Sequence, residues 1–145
     1  MSAIAEDKGK KRRRSRLVAG QVGVRLVMDE LLRRGFDARL ADRYTKDYDV
    51  LLGLYGSAPK PVHVRTVHVG PWYVRISHFD GAAANQVTIY VLLGLGNDPS
   101  CARFFVTRNS DMVTELRQPP NWRDFGLIDV EAVESYEDNW HLLKI

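Results

Sequence analysis

The feature that most constrains this chain is the segment of residues 46–76, KDYDVLLGLYGSAPKPVHVRTVHVGPWYVRI. Two apolar runs flank a Gly/Ser/Pro turn, and a third run follows Gly70-Pro71. Short runs rich in Val, Ile, Leu and Tyr and bounded by Gly and Pro are typical of β-strands. The segment therefore predicts three adjacent strands, at residues 48–54, 62–69 and 72–79.

Three polar residues interrupt these apolar runs. Asp49 lies near the start of the first run, and His63 and Arg65 lie two apart in the second. Because side chains alternate along a strand, His63 and Arg65 share one face, and Val62 and Val64 share the other. We expect function on the polar face.

The rest of the chain predicts one helix and further strands around this segment. Apolar residues at helical spacing and Gly35 at the C-cap position predict an amphipathic helix over residues 15–34. Strands are predicted at 36–40, 86–95 and 103–107, and a short helix at 109–116. Trp140 and two nearby leucines should dock on the core. A chain of 145 residues is long enough for one core, so residues 15–145 are expected to form a single domain.

The N-terminal segment is strongly basic and aperiodic. Residues 1–16 carry seven basic and two acidic residues, a balance of +5, so the net charge of +3 leaves −2 for the remainder. Residues 1–14 are predicted to be a disordered basic arm. Such an arm can attract phosphates or simply be a solvated tail, and the sequence favours neither. The candidate nucleic-acid-binding residues are Lys10, Lys11, Arg12, Arg13, Arg14 and Arg16 of the arm, together with Arg75.

Composition and the terminus predict a cytoplasmic location. No apolar run approaches the roughly 20 residues that span a bilayer, and the N-terminus lacks the apolar segment of a signal peptide. Cys101 is the single cysteine and cannot form an internal disulfide, which fits a reducing compartment. We therefore expect no membrane association.

The order of these elements resembles the PD-(D/E)XK nuclease superfamily, which includes restriction endonucleases and Holliday-junction resolvases. The matching segments are GQVGVRLVMDELLRRGFDARL, DYDVLL and VHVRT, and the ending SYEDNWHLL is similar too. The resemblance implies an α/β fold with a restriction-endonuclease-like αβββαβ core, in which helices flank a central mixed sheet. It also implies metal-dependent cleavage of DNA as the ancestral activity, and homodimerisation.

The positions that carry catalysis in that superfamily are largely replaced here. By resemblance, Asp49 matches the metal-binding Asp, His63 the second carboxylate or Gln, and Arg65 the catalytic Lys. The helix Glu falls at about Val24, with only Arg25 beside it. One of the four positions is therefore intact.

This replacement predicts a degenerate site. Mg²⁺ requires several oxygen ligands, and Asp49 alone makes at most a weak or vestigial metal site. The imidazole of His63 suits transition metals better, and Arg65 cannot accept a proton at neutral pH. Because hydrolysis of a phosphodiester needs an activated water, we expect it to be absent or very weak, without a cofactor.

The residues leave several alternatives open. Arg65 can pair with Asp49, which is favoured, or bind a phosphate. Trp72, Tyr73 and Arg75 can form a platform for bases, although the apolar partners of Trp72 favour a core position for it.

Three functions follow from these alternatives. The first is a catalytically degenerate domain that binds DNA, non-specifically or by its structure. The second is an active, Mg²⁺-dependent DNA endonuclease with a displaced carboxylate, Asp47 or Glu30. The third is a protein-interaction module.

Overall fold

A five-stranded mixed sheet and a smaller two-stranded sheet organise the protein. The computed structural model describes residues 2–42, 48–54, 57–96 and 98–144, and side chains within the first helix from Val18 onward. The helices are α1 (Ser2–Arg33) and the one-turn α2 (Val130–Val133). The strands are β1 (Asp37–Leu40), β2 (Val50–Leu54), β3 (Ser57–Val67), β4 (Trp72–Arg75), β5 (Val87–Leu92), β6 (Arg103–Arg108) and β7 (Phe125–Ile128).

The large sheet has the strand order β1-β2-β3-β5-β6. β3 and β5 pair in parallel, whereas the other neighbours pair antiparallel. A parallel pair needs a crossover connection, and here that crossover contains β4 and the 3₁₀ turns Ile76–Phe79 and Gly81–Asn85. These elements stand where the predicted αβββαβ order has an α-helix.

The prediction of three adjacent strands is wrong for β4. This strand pairs antiparallel with β7 in the two-stranded sheet and ends at Arg75, four residues before the predicted end at Phe79. The apolar run alone shows that a strand forms, but not which distant strand completes its hydrogen bonds. The short helix predicted over residues 109–116 is the 3₁₀ segment Asn109–Glu115.

Helix α1 begins well before the predicted residue 15. The basic segment predicted to be a disordered arm continues the helix in the structure, and Gly35 follows its end with a positive φ of 87°. Lys and Arg are good helix formers, and extending an existing helix costs less than nucleating one. The division into an arm and a single domain over residues 15–145 stays a prediction.

Each face of the large sheet is covered by a separate apolar cluster. α1 contributes Ala19, Val27 and Leu31 to the cluster on one face, where Val62 and Val64 of β3 also lie. The opposite face packs Tyr90 and Phe105 against the inner side of the β4–β7 sheet. This arrangement confirms the predicted alternation of side chains along β3. The layers of the fold are, in order, the helix α1, the large sheet and the small sheet.

The C-terminal segment closes the first cluster. Trp140 and Leu143 are buried in it, which confirms that the end of the chain docks on the core. Within the residues that the structure describes, no helix combines the length and hydropathy needed to cross a bilayer.

Candidate functional site

A cavity of about 880 Å³ opens between α1, the end of β1, the residues just before β2, and β3. Its apolar lining includes Val24, Met28, Leu32, Leu40 and Val64. Within the described part of the chain, its charged lining consists of Arg25, Asp29, Asp42, Asp49 and Arg65. The cavity therefore brings together Asp49, Arg65 and the helix position Val24, three of the four positions that the sequence singled out.

Asp49 lies immediately before β2 and is hydrogen-bonded to β3. Its backbone N–H donates to the carbonyl of Val62 at 2.9 Å. Its Oδ2 then accepts hydrogen bonds from the Val64 amide at 2.8 Å and from Nη1 of Arg65 at 3.2 Å. The carboxylate thus continues the ladder beyond β2, and one of its two oxygens already has two donors.

Arg65 supplies the positive charge beside this carboxylate. The side chains of Arg65 and Asp49 are 25% and 34% exposed, so water partly screens the pair. Nη1 of Arg65 also donates to the carbonyl of Val64 at 2.8 Å. The predicted ion pair is confirmed, but the guanidinium contacts a single carboxylate oxygen and does not form a bidentate fork.

His63 lies behind the cavity and is only 2% exposed. Its Nε2 lies 2.7 Å from Oε1 of Gln86, so the ring N–H donates to the amide oxygen. Its ring stacks on that of His78, with centroids 4.2 Å apart. Nδ1 of His78 is in turn 3.5 Å from Nη2 of Arg65. The prediction that His63 and Arg65 share a strand face holds, but His63 does not line the cavity.

Sequence reasoning missed His78 and Gln86 as neighbours of this site. His78 follows β4 and Gln86 precedes β5, so the crossover brings both of them back to β3. No motif spacing marks either residue. The only available signal was the presence of polar side chains beside apolar runs.

Among the residues that the structure describes, the cavity does not assemble the ligand set that the resemblance implies for Mg²⁺. Val24 packs against the core where the resemblance requires a glutamate, so the helix contributes no carboxylate there. Oδ2 of Asp49 is occupied by N–H donors, which compete with a cation for the same lone pairs. Among the described residues, no group of three His, Cys, Asp or Glu side chains is placed to hold a metal ion.

Structural comparison places this cavity in a known fold. The chain superimposes on a bacterial homing endonuclease, I-Ssp6803I, with a TM-score of 0.54 and 13% identity, covering 87% of this chain and 90% of that one. It also superimposes on Hjc, a Holliday junction resolvase from the archaeal hyperthermophile Archaeoglobus fulgidus, with a TM-score of 0.51 and 15% identity, covering 79% and 86% respectively. The chain has a restriction-endonuclease-like fold. In sequence, neither a protein-family profile nor a curated protein matches it.

Of the two displaced carboxylates considered from the sequence, Asp47 and Glu30, the structure describes only Glu30. Glu30 does not line the cavity, and it accepts hydrogen bonds from Arg33 and, at 2.8 Å, from Nε of Arg34. Partial burial raises the pKa of Glu30, but these hydrogen bonds outweigh burial and hold the pKa below its usual value. Asp47 lies outside the described residues.

The predicted nucleic-acid-binding residues lie at two places in the fold. Residues 10–14 and 16 belong to α1, in the part whose side chains are not described. Arg75 is exposed on β4, with its guanidinium over the ring of Phe125 at 5.2 Å. Trp72 is fully buried and donates from Nε1 to the carbonyl of Val91 at 3.0 Å, which confirms its predicted core position.

Proposed function

We propose that this protein is a catalytically degenerate nuclease-like domain that binds DNA, either non-specifically or by its structure. One observation carries the proposal: Oδ2 of Asp49 accepts from both the Val64 amide and the Arg65 guanidinium. In this arrangement a cation of the protein itself occupies the neighbourhood of the remaining carboxylate. The site is therefore suited to structural support and poorly suited to recruiting Mg²⁺.

The chemistry of the cavity supports the loss of hydrolysis. Cleavage of a phosphodiester needs a base that accepts the proton of the attacking water or a metal that lowers the pKa of that water. A guanidinium is a hydrogen-bond donor without an acceptor site, so an arginine at position 65 is unsuited to act as that base. Val24 contributes an apolar side chain at the position where a further oxygen ligand would be required.

DNA binding is supported by the basic N-terminal part of α1 and by the fold. Seven basic residues within the first sixteen provide a charge density that attracts a phosphate backbone. The two similar structures are a homing endonuclease and a Holliday junction resolvase. Homodimerisation belongs to the same proposal, and sedimentation velocity would measure it directly.

The binding test uses fluorescence anisotropy with duplex, four-way-junction and single-stranded DNA over a salt series. We compare the full chain with a chain that lacks residues 1–16. Neutralising six to ten phosphates corresponds to about a 10³–10⁵-fold loss of affinity between about 50 and 200 mM salt. The full chain should show a steep slope, and removing the basic segment should flatten it. A full chain that binds none of the three DNAs at low salt contradicts DNA binding and leaves the protein-interaction alternative.

The catalytic test adds Mg²⁺ or Mn²⁺ to the same DNAs. The unmodified protein should leave them intact, whereas robust cleavage would support the alternative of an active endonuclease. The variant Val24→Glu/His63→Gln/Arg65→Lys restores the residue types of the superfamily. Glutamine is chosen for the buried position 63 because an unpaired carboxylate there would be costly to bury.

Cleavage by the restored variant would show that only the side chains were lost and that the geometry of the site persists. Its matched control adds Asp49→Asn, which should abolish any restored activity. Loss of activity in that control would assign the cleavage to this cavity and exclude a contaminating nuclease.

A further inference from the structure

A second surface lies on the outer side of the β4–β7 sheet. We call it the aromatic platform, and it consists of Tyr73, Arg75, Trp122, Arg123 and Phe125. The rings of Tyr73 and Trp122 stack with centroids 5.7 Å apart and planes inclined by 18°. Arg75 faces Phe125 across the sheet, and its guanidinium lies over that ring.

The alternation of β4 explains why these side chains face solvent. Trp72 and Val74 point into the core between the two sheets, so Tyr73 and Arg75 must point outward. Tyr73 is 54% exposed and Phe125 is 43% exposed. A shallow cavity of about 340 Å³ lies between Tyr73, Trp122, Arg123 and Phe125, within the size range of small-ligand sites. The surface therefore combines aromatic faces with a recess that one flat ring can enter.

We propose that the aromatic platform binds an unpaired nucleobase of single-stranded or branched DNA. This inference rests on the proposed DNA-binding function and specifies which DNA is preferred. A base laid against the Tyr73–Trp122 pair extends an existing stack. Stacking accepts any base because every base presents a flat π-face.

The charges around the platform suit the backbone that accompanies such a base. Among the described residues, neither Arg75 nor Arg123 forms an ion pair. Counting Asp124, which lies between Arg123 and Phe125 in the sequence, this surface has two arginines and one acidic residue. An Arg held over an aromatic ring keeps N–H groups that can donate to a phosphate.

The platform is separate from the Asp49 cavity. α1 and the cavity lie on one face of the large sheet, and the β4–β7 sheet packs against the other face. No platform residue lines the Asp49 cavity, so the two surfaces can be substituted separately. A base held on the platform distinguishes DNA with unpaired segments from a fully paired duplex.

The test measures binding of the full chain to an oligo-dT single strand and to a duplex of equal length. Trp72 and Trp140 are buried, so quenching of tryptophan fluorescence by oligo-dT reports mainly on Trp122. Trp122→Ala should abolish the quenching and weaken oligo-dT binding by about 5- to 150-fold, because stacking one base contributes about 1–3 kcal/mol. Duplex affinity should be unchanged. Trp122→Phe, which keeps a ring, should retain most of the oligo-dT affinity.

Two further variants keep the test decisive if Trp122→Ala does not fold. Tyr73→Ala removes the other stacked ring and should show the same selective loss. Arg39→Ala removes an exposed cation of β1, outside the platform, and should affect oligo-dT and duplex equally.

Unchanged oligo-dT affinity in the folded Trp122→Ala and Tyr73→Ala variants overturns the inference but leaves DNA binding intact. An equal loss for single strand and duplex also overturns it, since the platform would then contact only the backbone. If the wild-type chain binds no DNA at all, the proposed function itself is wrong. That result is distinct from the two outcomes that overturn only the role of the platform.

Discussion

The sharpest stability prediction concerns the ion pair in the cavity. Replacing Asp49 should lower the free energy of unfolding more than replacing Arg65. Asp49→Ala removes the acceptor of both the Val64 amide and the Arg65 guanidinium. An amide left without a partner costs about 1–3 kcal/mol, and loss of a partly exposed ion pair adds about 0.2–1 kcal/mol. Arg65→Ala removes the ion pair and the bond from Nη1 to the Val64 carbonyl, but it leaves the Val64 amide paired, because Asp49 still accepts from it. We expect its cost to be within about 1 kcal/mol.

Urea unfolding of the wild type, the two single variants and the double variant measures these differences and the coupling between the partners. Asp49→Asn is the matched control, because its amide oxygen still accepts from Val64. This variant should lie between the wild type and Asp49→Ala. In thermal unfolding, each 1 kcal/mol corresponds to about 2–4 °C in a chain of this size.

The sign of the Asp49→Ala effect also tests the functional reasoning. Carboxylates kept unpaired for a metal strain a working site, so their removal often stabilises such enzymes. A rise in stability for Asp49→Ala would show that Asp49 is still held for a cation, and our account of the site would be wrong. A loss equal to that of Arg65→Ala would refute the role assigned to the Val64 amide.

Four other substitutions test packing and electrostatics elsewhere in the fold. Gly23→Ala should lower the free energy of unfolding by about 1–3 kcal/mol, because its Cβ would lie 1.7 Å from the hydroxyl oxygen of a threonine on β3. Gly20→Ala should raise the free energy of unfolding by about 0.5–1 kcal/mol, because its Cβ would meet nothing within 4 Å. Urea unfolding measures both changes. Tyr90→Phe should leave thermal stability unchanged or raise it, because the buried hydroxyl has no hydrogen-bond partner among the described residues, and a clear loss would reveal one. Hydrogen bonds from Arg103 outweigh partial burial and lower the pKa of Glu137, so the stability it contributes is present above its ordinary pKa of 4.5 and is lost as the pH falls through the lowered value in the folded protein. Between pH 6 and pH 3, Glu137→Gln should therefore lose less stability in urea titrations than the wild type, and equal losses would contradict this assignment.

The Asp49–Arg65 pair was predictable because its signal is local. Asp49 immediately precedes β2, and Arg65 lies on β3, the next strand along the chain, which pairs antiparallel with β2. Opposite charges brought together by neighbouring strands attract each other. The burial of Trp72 was predictable for the same reason, since its alternation with Val74 is visible in a few residues. Local periodicity therefore identified the strands of the first half and the carboxylate of the cavity.

The aromatic platform was only half predictable. Tyr73 and Arg75 were recognised as candidates on β4, but Trp122 and Phe125 join them only through the pairing of β4 with β7. No local pattern encodes a pairing over such a sequence distance. Burial of His63 against His78 was missed in the same way, because the crossover to β5 determines it.

The pairing of β4 with β7 has a consequence for synthesis of the chain. β4 leaves the ribosome long before its partner strand, and its inner side chains Trp72 and Val74 become fully covered only when Ile128 and its neighbours arrive. Until then the nascent protein presents an uncovered apolar layer and a free strand edge, both of which promote association between chains. Chains terminated before Phe125 should accordingly accumulate as aggregates, even though all strands of the large sheet are complete.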